Sequence, residues 1–471
     1  MKYFLSLIFI CLMSVSAQAR DYYFCSTATD DSGTGLIDDP YKTISKFGTV
    51  ANAMSAGESI FFCRGGEWEP TSTEYINPIC TAENRCIVDA YGTGKKPWIK
   101  LDSVGLLFGT NNTVKYMTWR NLKFGSTTYQ TSTPNPNGAF VYYGGTNEGN
   151  IWEYNEFSYM RDAIVFGNPQ DSSGTYHLDA TIRYNTFTDI SVVGHLVGGN
   201  GMKIYGNTYV RVGATGGRPM YNMGTRGATF TTDLTQGQNY YISGNDITSS
   251  VQKDIGNGDY LGTYVEGDYG CGGNNLGGHG SMDGNIYVNN NILREFKGVA
   301  TGGCWGINFD EGWGIATVHF GGVARGDTGI LRIADNETYW LGNLSYGCNA
   351  CSGSEFIGNT AYSFLASMGI DPTNKNEAGL TYPTESSTAK YNFFVFDTDT
   401  TTNTGLNFRP DAGGTATVLT SVLEYNIIVF GNDDTGNKCI DADIEGTKAN
   451  NFCFAVDSSG NIVNHTVNNI N

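Results

Sequence analysis

One short pattern centred on asparagine recurs through most of the chain. In each copy an aromatic residue, a glycine or a polar residue precedes the asparagine, and a short strand-like run follows it. The asparagines at the centre of the pattern are Asn121, Asn155, Asn185, Asn207, Asn245, Asn291, Asn336, Asn359, Asn392 and Asn426. Successive copies are 22 to 46 residues apart. Repeats of this length predict a solenoid, a propeller or another stacked array.

The segments between the asparagines are typical of short β-strands. Residues 150–154 and 180–184 alternate apolar and polar side chains, as a half-buried strand does. The near absence of helical periodicity excludes helical solenoids, and the variable spacing argues against a propeller. The pattern therefore predicts a parallel β-helix, in which each coil is stabilised by stacking on its neighbours.

We expect each asparagine to occupy a sharp corner and to hydrogen-bond to its equivalents in the coils above and below. Asparagine tolerates the left-handed backbone that such a corner requires. On this interpretation the formal glycosylation sequons that begin at Asn336 and Asn343 are by-products of the repeat.

The composition agrees with a β-rich chain that has many turns. The sequence has 63 glycines and 29 tyrosines among 471 residues, and only 16% of its residues are charged. In stacked coils, like charges lie about 5 Å apart and repel, which explains the low charge content. The net charge of −18 argues against a nucleic-acid partner, because phosphate binding needs clustered Lys and Arg.

The first residues predict export. Lys2 is followed by an apolar stretch over residues 4–15 and by a small-x-small cleavage site at residues 17–19. We expect the mature protein to begin near Arg20 and to be secreted or periplasmic. No later apolar run is long enough to predict a membrane span.

Ten cysteines follow the export segment, and an even number in an exported chain predicts disulfides. Short separations favour the pairs Cys80 with Cys86, Cys348 with Cys351 and Cys439 with Cys453. Elimination leaves Cys25 with Cys63 and Cys271 with Cys304. Zinc is the alternative at Cys348 and Cys351, but no second cysteine pair or histidine cluster accompanies them.

The N-terminal block differs from the repeat. It reads as a strand at residues 21–24, an amphipathic helix at about 42–54, a strand at 59–62 and an Arg-Gly-Gly turn at 64–66. This order resembles the opening of secreted right-handed parallel β-helix proteins of the pectate-lyase-like superfamily. The resemblance implies a cap and first coils over residues 20–105, with the helix covering the open sheet edge. An all-β, right-handed parallel β-helix of about twelve coils then follows over residues 106–471.

The superfamily includes lyases, hydrolases, epimerases, esterases and non-catalytic fibres, so the resemblance leaves the reaction open. The longest intervals between asparagines, at residues 208–336, predict long loops beside a functional groove. Carboxylates and aromatic residues coincide there, as in sugar-binding sites. The catalytic candidates are Asp310, Glu311, Asp268, Glu266 and His279. The candidates for sugar stacking are Trp305, Trp313, Tyr260, Tyr264 and Tyr269.

Glycoside hydrolysis by paired carboxylates is the favoured reaction, with Asp310 as one member of the pair. An acidic, partly buried cluster would supply the raised pKa that the general acid needs. The alternative for Asp310 is a structural role, since Asp caps backbone amides at β-helix corners. His279 lies in a Gly-His-Gly segment that resembles one in polygalacturonases, but the other motifs of that family are not found in matching order.

Two further functions stay open. A lyase acting on a uronic-acid polymer would need a base, for which Lys253 and Arg218 are candidates. Asp259, Asp268 and Asp310 could then hold Ca²⁺, although the sequence requires no cofactor and has no spaced calcium motif. A non-catalytic glycan-binding protein is the third possibility. In each case the expected partner is a polysaccharide or oligosaccharide, and we expect a monomer.

Overall fold

The structure is a computed structural model. It describes residues 19–104, 106–110, 113–128, 138–142, 146–166, 176–197, 199–212, 218–223, 240–248, 273–279, 285–294, 304–310, 330–339, 344–348, 354–363, 368–371, 387–396, 403–408, 421–432, 434, 436–442 and 446–464. The predicted export segment lies outside these residues, apart from residue 19.

The chain winds into coils that contribute strands to three parallel faces, which we name A, B and C. Face A contains Asp21–Phe24, Ser59–Cys63, Cys86–Tyr91, Met117–Arg120, Ile151–Glu153, Thr181–Arg183, Lys203–Tyr205, Tyr241–Ser243, Ile286–Asn289, Leu331–Ala334, Glu355–Ile357, Thr388–Lys390, Val422–Glu424 and Thr447–Ala449. Face B contains Glu67–Trp68, Trp98–Lys100, Lys123–Gly125, the first part of Glu156–Phe166 and of Thr186–Val197, Thr208–Val212, Asp246–Thr248, Ile292–Arg294, Glu337–Tyr339, Thr360–Ser363, Phe393–Phe396, Ile427–Phe430 and Phe452–Val456. Face C contains Glu74–Tyr75, Leu106–Thr110, Gly138–Tyr142, the second part of the two long strands, Arg218–Met223, Gly273–His279, Cys304–Asp310, Leu344–Cys348, Met368–Asp371, Thr404–Phe408 and Lys438–Ala442.

This pairing confirms the predicted parallel β-helix. Consecutive coils pair in parallel along all three faces. The described residues place fourteen strands on face A, against the prediction of about twelve coils. The difference arises because coil formation already begins at Asp21–Phe24, within the N-terminal block. Thr146–Glu148 and Tyr176–Leu178 form a separate two-stranded sheet, and Ile462–Asn464 pairs antiparallel with Phe452–Val456.

A ladder of buried asparagines follows the corner between faces A and B. Asn207 shows the repeated pattern: its Oδ1 accepts from the backbone N–H of Asn185 at 2.9 Å. Its Nδ2 donates to Oδ1 of Asn245 at 3.0 Å and to the carbonyl of Ile182 at 2.9 Å. The members of the ladder are Asn155, Asn185, Asn207, Asn245, Asn291, Asn336, Asn359, Asn392, Asn426 and Asn451. The structural interpretation of these asparagines is thus confirmed, including that of the sequon at Asn336.

Asn121 was predicted as a member of the ladder, and this prediction is wrong by one position. In that coil Leu122 occupies the ladder position, and its backbone N–H donates to Oδ1 of Asn155 at 3.1 Å. Asn121 instead takes the left-handed corner, with φ of 60°, and its Nδ2 donates to Asp89. Both roles favour asparagine, so the local sequence does not distinguish them.

Tyrosines occupy several of the left-handed corners that precede the ladder. Tyr154 and Tyr184 have φ of 56° and 55°, and their rings stack with centroids 5.2 Å apart. Tyr391 and Tyr425 repeat the arrangement at 5.2 Å. The faces of these rings are turned toward neighbouring coils, so this share of the tyrosines stabilises stacking.

The interior is filled by columns of apolar side chains. Along face B, Phe124, Phe157, Phe187 and Tyr209 stack with successive centroids 5.3, 4.9 and 4.8 Å apart, and all four are buried. Each column spans several coils, because equivalent positions in neighbouring coils lie about 4.8 Å apart. Loss of one ring would therefore expose two neighbours.

The predicted capping helix is present as α1, Ser45–Ala53, and is shorter than the predicted 42–54. The carboxylate of Asp31 accepts hydrogen bonds from the backbone N–H groups of Lys42 and Thr43, which holds these residues in the preceding loop. Phe47 of α1 packs against Phe62 and Trp119, each at a centroid distance of 5.8 Å. The helix thus closes the N-terminal end of the core.

Three of the five expected disulfides fall in the described residues, and all three are confirmed. They join Cys25 to Cys63, Cys80 to Cys86 and Cys439 to Cys453. The expected pairs Cys271 with Cys304 and Cys348 with Cys351 fall outside the residues whose side chains are described. Within the described part of the chain, no helix combines the length and hydropathy that a membrane span needs.

Candidate functional site

Two of the predicted catalytic residues come together on face C. His279, the last residue of Gly273–His279, is in register with Asp310, the last residue of Cys304–Asp310. Strands in such a sheet are about 4.8 Å apart, so the two backbones are direct neighbours. His279 pairs on its other side with Met223. Both candidates thus lie at the carboxyl ends of strands of face C.

A row of small and polar residues crosses the same strands two residues earlier. The row consists of Tyr221, Gly277, Asn308, Gly347 and Asp371 on five successive strands. In the preceding row, Leu276, Ile307 and Tyr346 are fully inaccessible. On the strand Leu344–Cys348, Ser345 and Gly347 are buried as well.

The two glycines make this row unusual. Gly277 and Gly347 flank Asn308 on the neighbouring strands, so no side chain rises from the sheet on either side of it. His279 and Asp310 lie two residues beyond Gly277 and Asn308 on their strands. A carboxylic acid and an imidazole on neighbouring strand ends can carry out proton transfer.

Two further predicted site residues, Trp305 and Arg218, also lie on strands of face C, and their register can be compared with that of the buried row. Trp305 is in register with Asn274, two residues before the buried Ile307. Position 305 therefore has the same parity as Ile307 along the strand. Arg218 pairs with Val193 and precedes Met220, in the row that contains Leu276, in the same way. Their assignments to sugar stacking and to a lyase base remain predictions.

The other predicted site residues lie outside the described residues. They are Glu311, Asp268, Glu266, Trp313, Tyr260, Tyr264, Tyr269, Lys253 and Asp259. Asp310 is therefore the one member of the expected carboxylate cluster for which the structure gives a register position.

Several acidic residues elsewhere are committed to ion pairs. On face A, Arg120 binds Asp89 at 2.6 Å and Arg183 binds Glu153 through Nε at 2.7 Å. The hydroxyl of Tyr205 and the carboxylate of Glu153 raise the pKa of Arg183 above its ordinary value, so it stays charged. These acids alternate with arginines in one row, as cross-strand pairs do in stable sheets. Their oxygens are occupied by guanidinium groups, which makes them poor acid catalysts.

Two arginines in the inserted window are also paired. Arg211 makes a two-pronged contact with the buried Asp189, at 2.6 and 2.8 Å. Arg294 pairs with Asp246. Both arginines lie on face B, away from the row that contains Asn308. They stabilise neighbouring coils, and neither is positioned to act on a ligand at face C.

Sequence reasoning missed Asn308, Gly347 and Asp371 as neighbours in one row. No local motif marks them, because they come from different coils. Counting residues from the asparagine ladder could have identified part of the row, if the length of each loop had been known. Among the described residues, no three His, Cys, Asp or Glu side chains converge as metal ligands.

No model of a known protein family matches the chain, and no curated protein matches it. Among solved structures, the chain is similar to the GH136 lacto-N-biosidase from Eubacterium ramulus at 12% identity and a TM-score of 0.45, over 92% of this chain and 68% of that one. It is similar to XylC, solved with xylose, at 11% identity and a TM-score of 0.45, over 90% and 86%. It is similar to the pectate lyase Pel9A at 13% identity and a TM-score of 0.37, over 72% and 79%.

Proposed function

We propose that this protein cleaves a polysaccharide that lies across face C, with the reacting bond beside Asp310 and His279. The observation that carries the proposal is the register pairing of these two residues next to the glycine-flanked Asn308. Sequence reasoning had selected both residues independently of their pairing. The aromatic residues of the inserted window support a sugar as the ligand, because pyranose rings stack on aromatic faces.

The reaction that we favour is glycoside hydrolysis. One carboxyl group protonates the glycosidic oxygen, and a second carboxylate either activates a water molecule or attacks the anomeric carbon. We assign Asp310 to one of these roles and draw its partner from Glu311, Glu266 and Asp268. His279, as the neighbour of Asp310, would tune the protonation of that carboxyl group.

The polymer would cross the strands, parallel to the axis of the coils. Gly277 would let a sugar ring approach the sheet, and Asn308 would offer an amide to its hydroxyl groups. We infer that the protein acts outside the cytoplasm. The three described disulfides support this location, since disulfides persist in oxidising compartments.

One assay tests the proposal and separates it from the alternatives. The purified protein is incubated with a panel of neutral and uronic-acid polysaccharides, with and without Ca²⁺. Reducing ends and the ultraviolet absorbance of unsaturated products are followed together. Reducing ends without absorbance are the expected result. A rise in absorbance would show β-elimination, and binding without any product would show a glycan-binding protein.

A further inference from the structure

A cavity lies on face B, near the N-terminal end and away from the strand ends of His279 and Asp310. It has a volume of about 420 Å³ and opens between the Gly65–Gly66 turn and the first strands of the face. This volume is in the range of small-ligand pockets, which run from roughly 300 to 1,000 Å³. Its lining combines Lys95, Lys96, Trp98 and Lys123 with the carboxylates of Glu67 and Glu156.

The two carboxylates are already neutralised. Lys100 contacts Glu67 at 2.8 Å, and Lys96 contacts Glu156 at 2.9 Å. Glu67 and Glu156 occupy equivalent positions three coils apart, with Trp98 and Lys123 between them. Three strand spacings amount to about 14 Å, which exceeds the separation of glycosidase carboxyl pairs. The cavity is therefore suited to binding rather than to hydrolysis.

Two ammonium groups of the cavity remain available. Among the described residues, no carboxylate pairs with Lys95 or Lys123. Lys123 Nζ lies 3.8 Å from the centre of the Trp98 ring, so a cation–π contact holds it in place. The indole N–H of Trp98 donates to the carbonyl of Gly125 at 3.0 Å and fixes the ring. In a chain with a net charge of −18, this is a local excess of positive charge with a preset geometry.

We propose that this cavity binds a uronic-acid residue of a saccharide. The sugar carboxylate would lie between Lys95 and Lys123, in charge-assisted hydrogen bonds, and the sugar ring would lie beside Trp98, whose ring face already carries the Lys123 ammonium group. The volume and the aromatic wall favour a sugar over a small inorganic anion. The site goes beyond the cleavage proposed for face C, because it needs no reaction and lies on another face.

The experiment follows Trp98 directly, in protein labelled with 5-fluorotryptophan. Substitution of Trp98 by phenylalanine identifies its fluorine NMR signal. The probes are a uronic-acid disaccharide, the corresponding neutral disaccharide and acetate. We expect a saturable shift of the Trp98 signal with the uronic-acid disaccharide alone. An equal response to acetate, an equal response to the neutral sugar, or no response would each overturn the proposal.

Charge-removing variants complete the test. Lys95→Gln combined with Lys123→Gln should weaken the response to the uronic-acid disaccharide about tenfold or more. The matched control combines Lys203→Gln with Lys448→Gln on face A, where the same change in net charge should leave the response intact. Equal loss in both variants would mean a general effect of charge and would overturn the assignment. Because the readout is binding at Trp98, the outcome is independent of whether face C cleaves a polysaccharide.

Discussion

Asn185 and Asn207 are joined by two hydrogen bonds across one coil boundary. The backbone N–H and the side-chain Nδ2 of Asn185 both donate to Oδ1 of Asn207, at 2.9 and 3.1 Å. Both residues are 1% exposed. The corner between faces A and B is therefore a continuous chain of buried amides, in which each member satisfies its neighbours.

Substitution of Asn207 by alanine should be strongly destabilising. It leaves the backbone N–H of Asn185 and the carbonyl of Ile182 without these partners in a buried corner. Each such group costs about 1–3 kcal/mol, so the free energy of unfolding should fall by roughly 2–5 kcal/mol. Denaturant unfolding measures the change, and Asn84→Ala at an exposed position is the control. Similar effects of the two substitutions would contradict the structural role of the ladder.

Gly206 and Gly244 occupy equivalent corners with similar φ, but substitution by alanine should reduce stability by different amounts at the two positions. Gly206 and Gly244 have φ of 65° and 62°, but a Cβ at Gly206 would lie 2.6 Å from the ring of Tyr184. At Gly244 the nearest atom would be 4.0 Å away. Gly206→Ala should therefore cost about 1–3 kcal/mol more than Gly244→Ala, since it adds a steric clash to the same backbone cost. Thermal unfolding of both variants checks this, and equal losses would refute it.

His177 should make stability depend on pH in the acidic range. It is buried, its ring stacks on Phe166 at 4.1 Å, and burial lowers its pKa to about 3. Below about pH 6.5 the unfolded chain binds a proton at this residue and the folded chain does not, so the free energy of unfolding falls. The contribution should reach about 2 kcal/mol at about pH 5.

His177→Phe removes this titration and is the matched comparison. The difference in the free energy of unfolding between wild type and variant should change as the pH falls from neutral toward about 5, in favour of the variant. Urea unfolding at several pH values measures it. A difference that stays constant over this range would mean that His177 is protonated in the folded protein.

The proposed site predicts a separation of activity from stability at Asp310. Asp310→Asn should lower the cleavage rate about 10²–10⁴-fold, as loss of a general acid or base does, and leave the unfolding transition unchanged. His279→Gln should shift the pH profile of the remaining activity. Glu83→Gln, at an exposed acid between the strands Glu74–Tyr75 and Cys86–Tyr91 of the first coils, should have no effect on the rate. If Asp310→Asn instead kept its activity and lost stability, Asp310 would have a structural role and not a catalytic one.

The sequence predicted the coils of the β-helix better than it predicted which residues of different coils become neighbours. Asn155 and Asn185 identify their corners because each ladder amide bonds to the same residue type in the next coil. The one-residue error at Asn121 shows the limit of this signal, since the left-handed position beside the ladder favours asparagine too.

The row on face C could not be predicted in the same way. Asn308 and Gly347 become neighbours only when the chain between them closes one complete coil. The lengths of such loops vary from coil to coil, so adjacency between strands of face C depends on chain lengths that the sequence pattern does not encode. The cavity beside Trp98 is a similar case, because Lys95, Lys123 and Glu156 come from three different coils.

The antiparallel strand Ile462–Asn464 has a consequence for the C-terminal end of the described stack of coils. The terminal coil of a parallel β-helix exposes strand edges with which another parallel coil can pair. The terminal coil of a second molecule could therefore extend the stack. Ile462–Asn464 reverses the chain direction beside Phe452–Val456, so the last strand of face B offers an edge that a parallel coil cannot extend. α1 covers the other end of the core, so each end of the described stack of coils carries an element that is not a parallel strand.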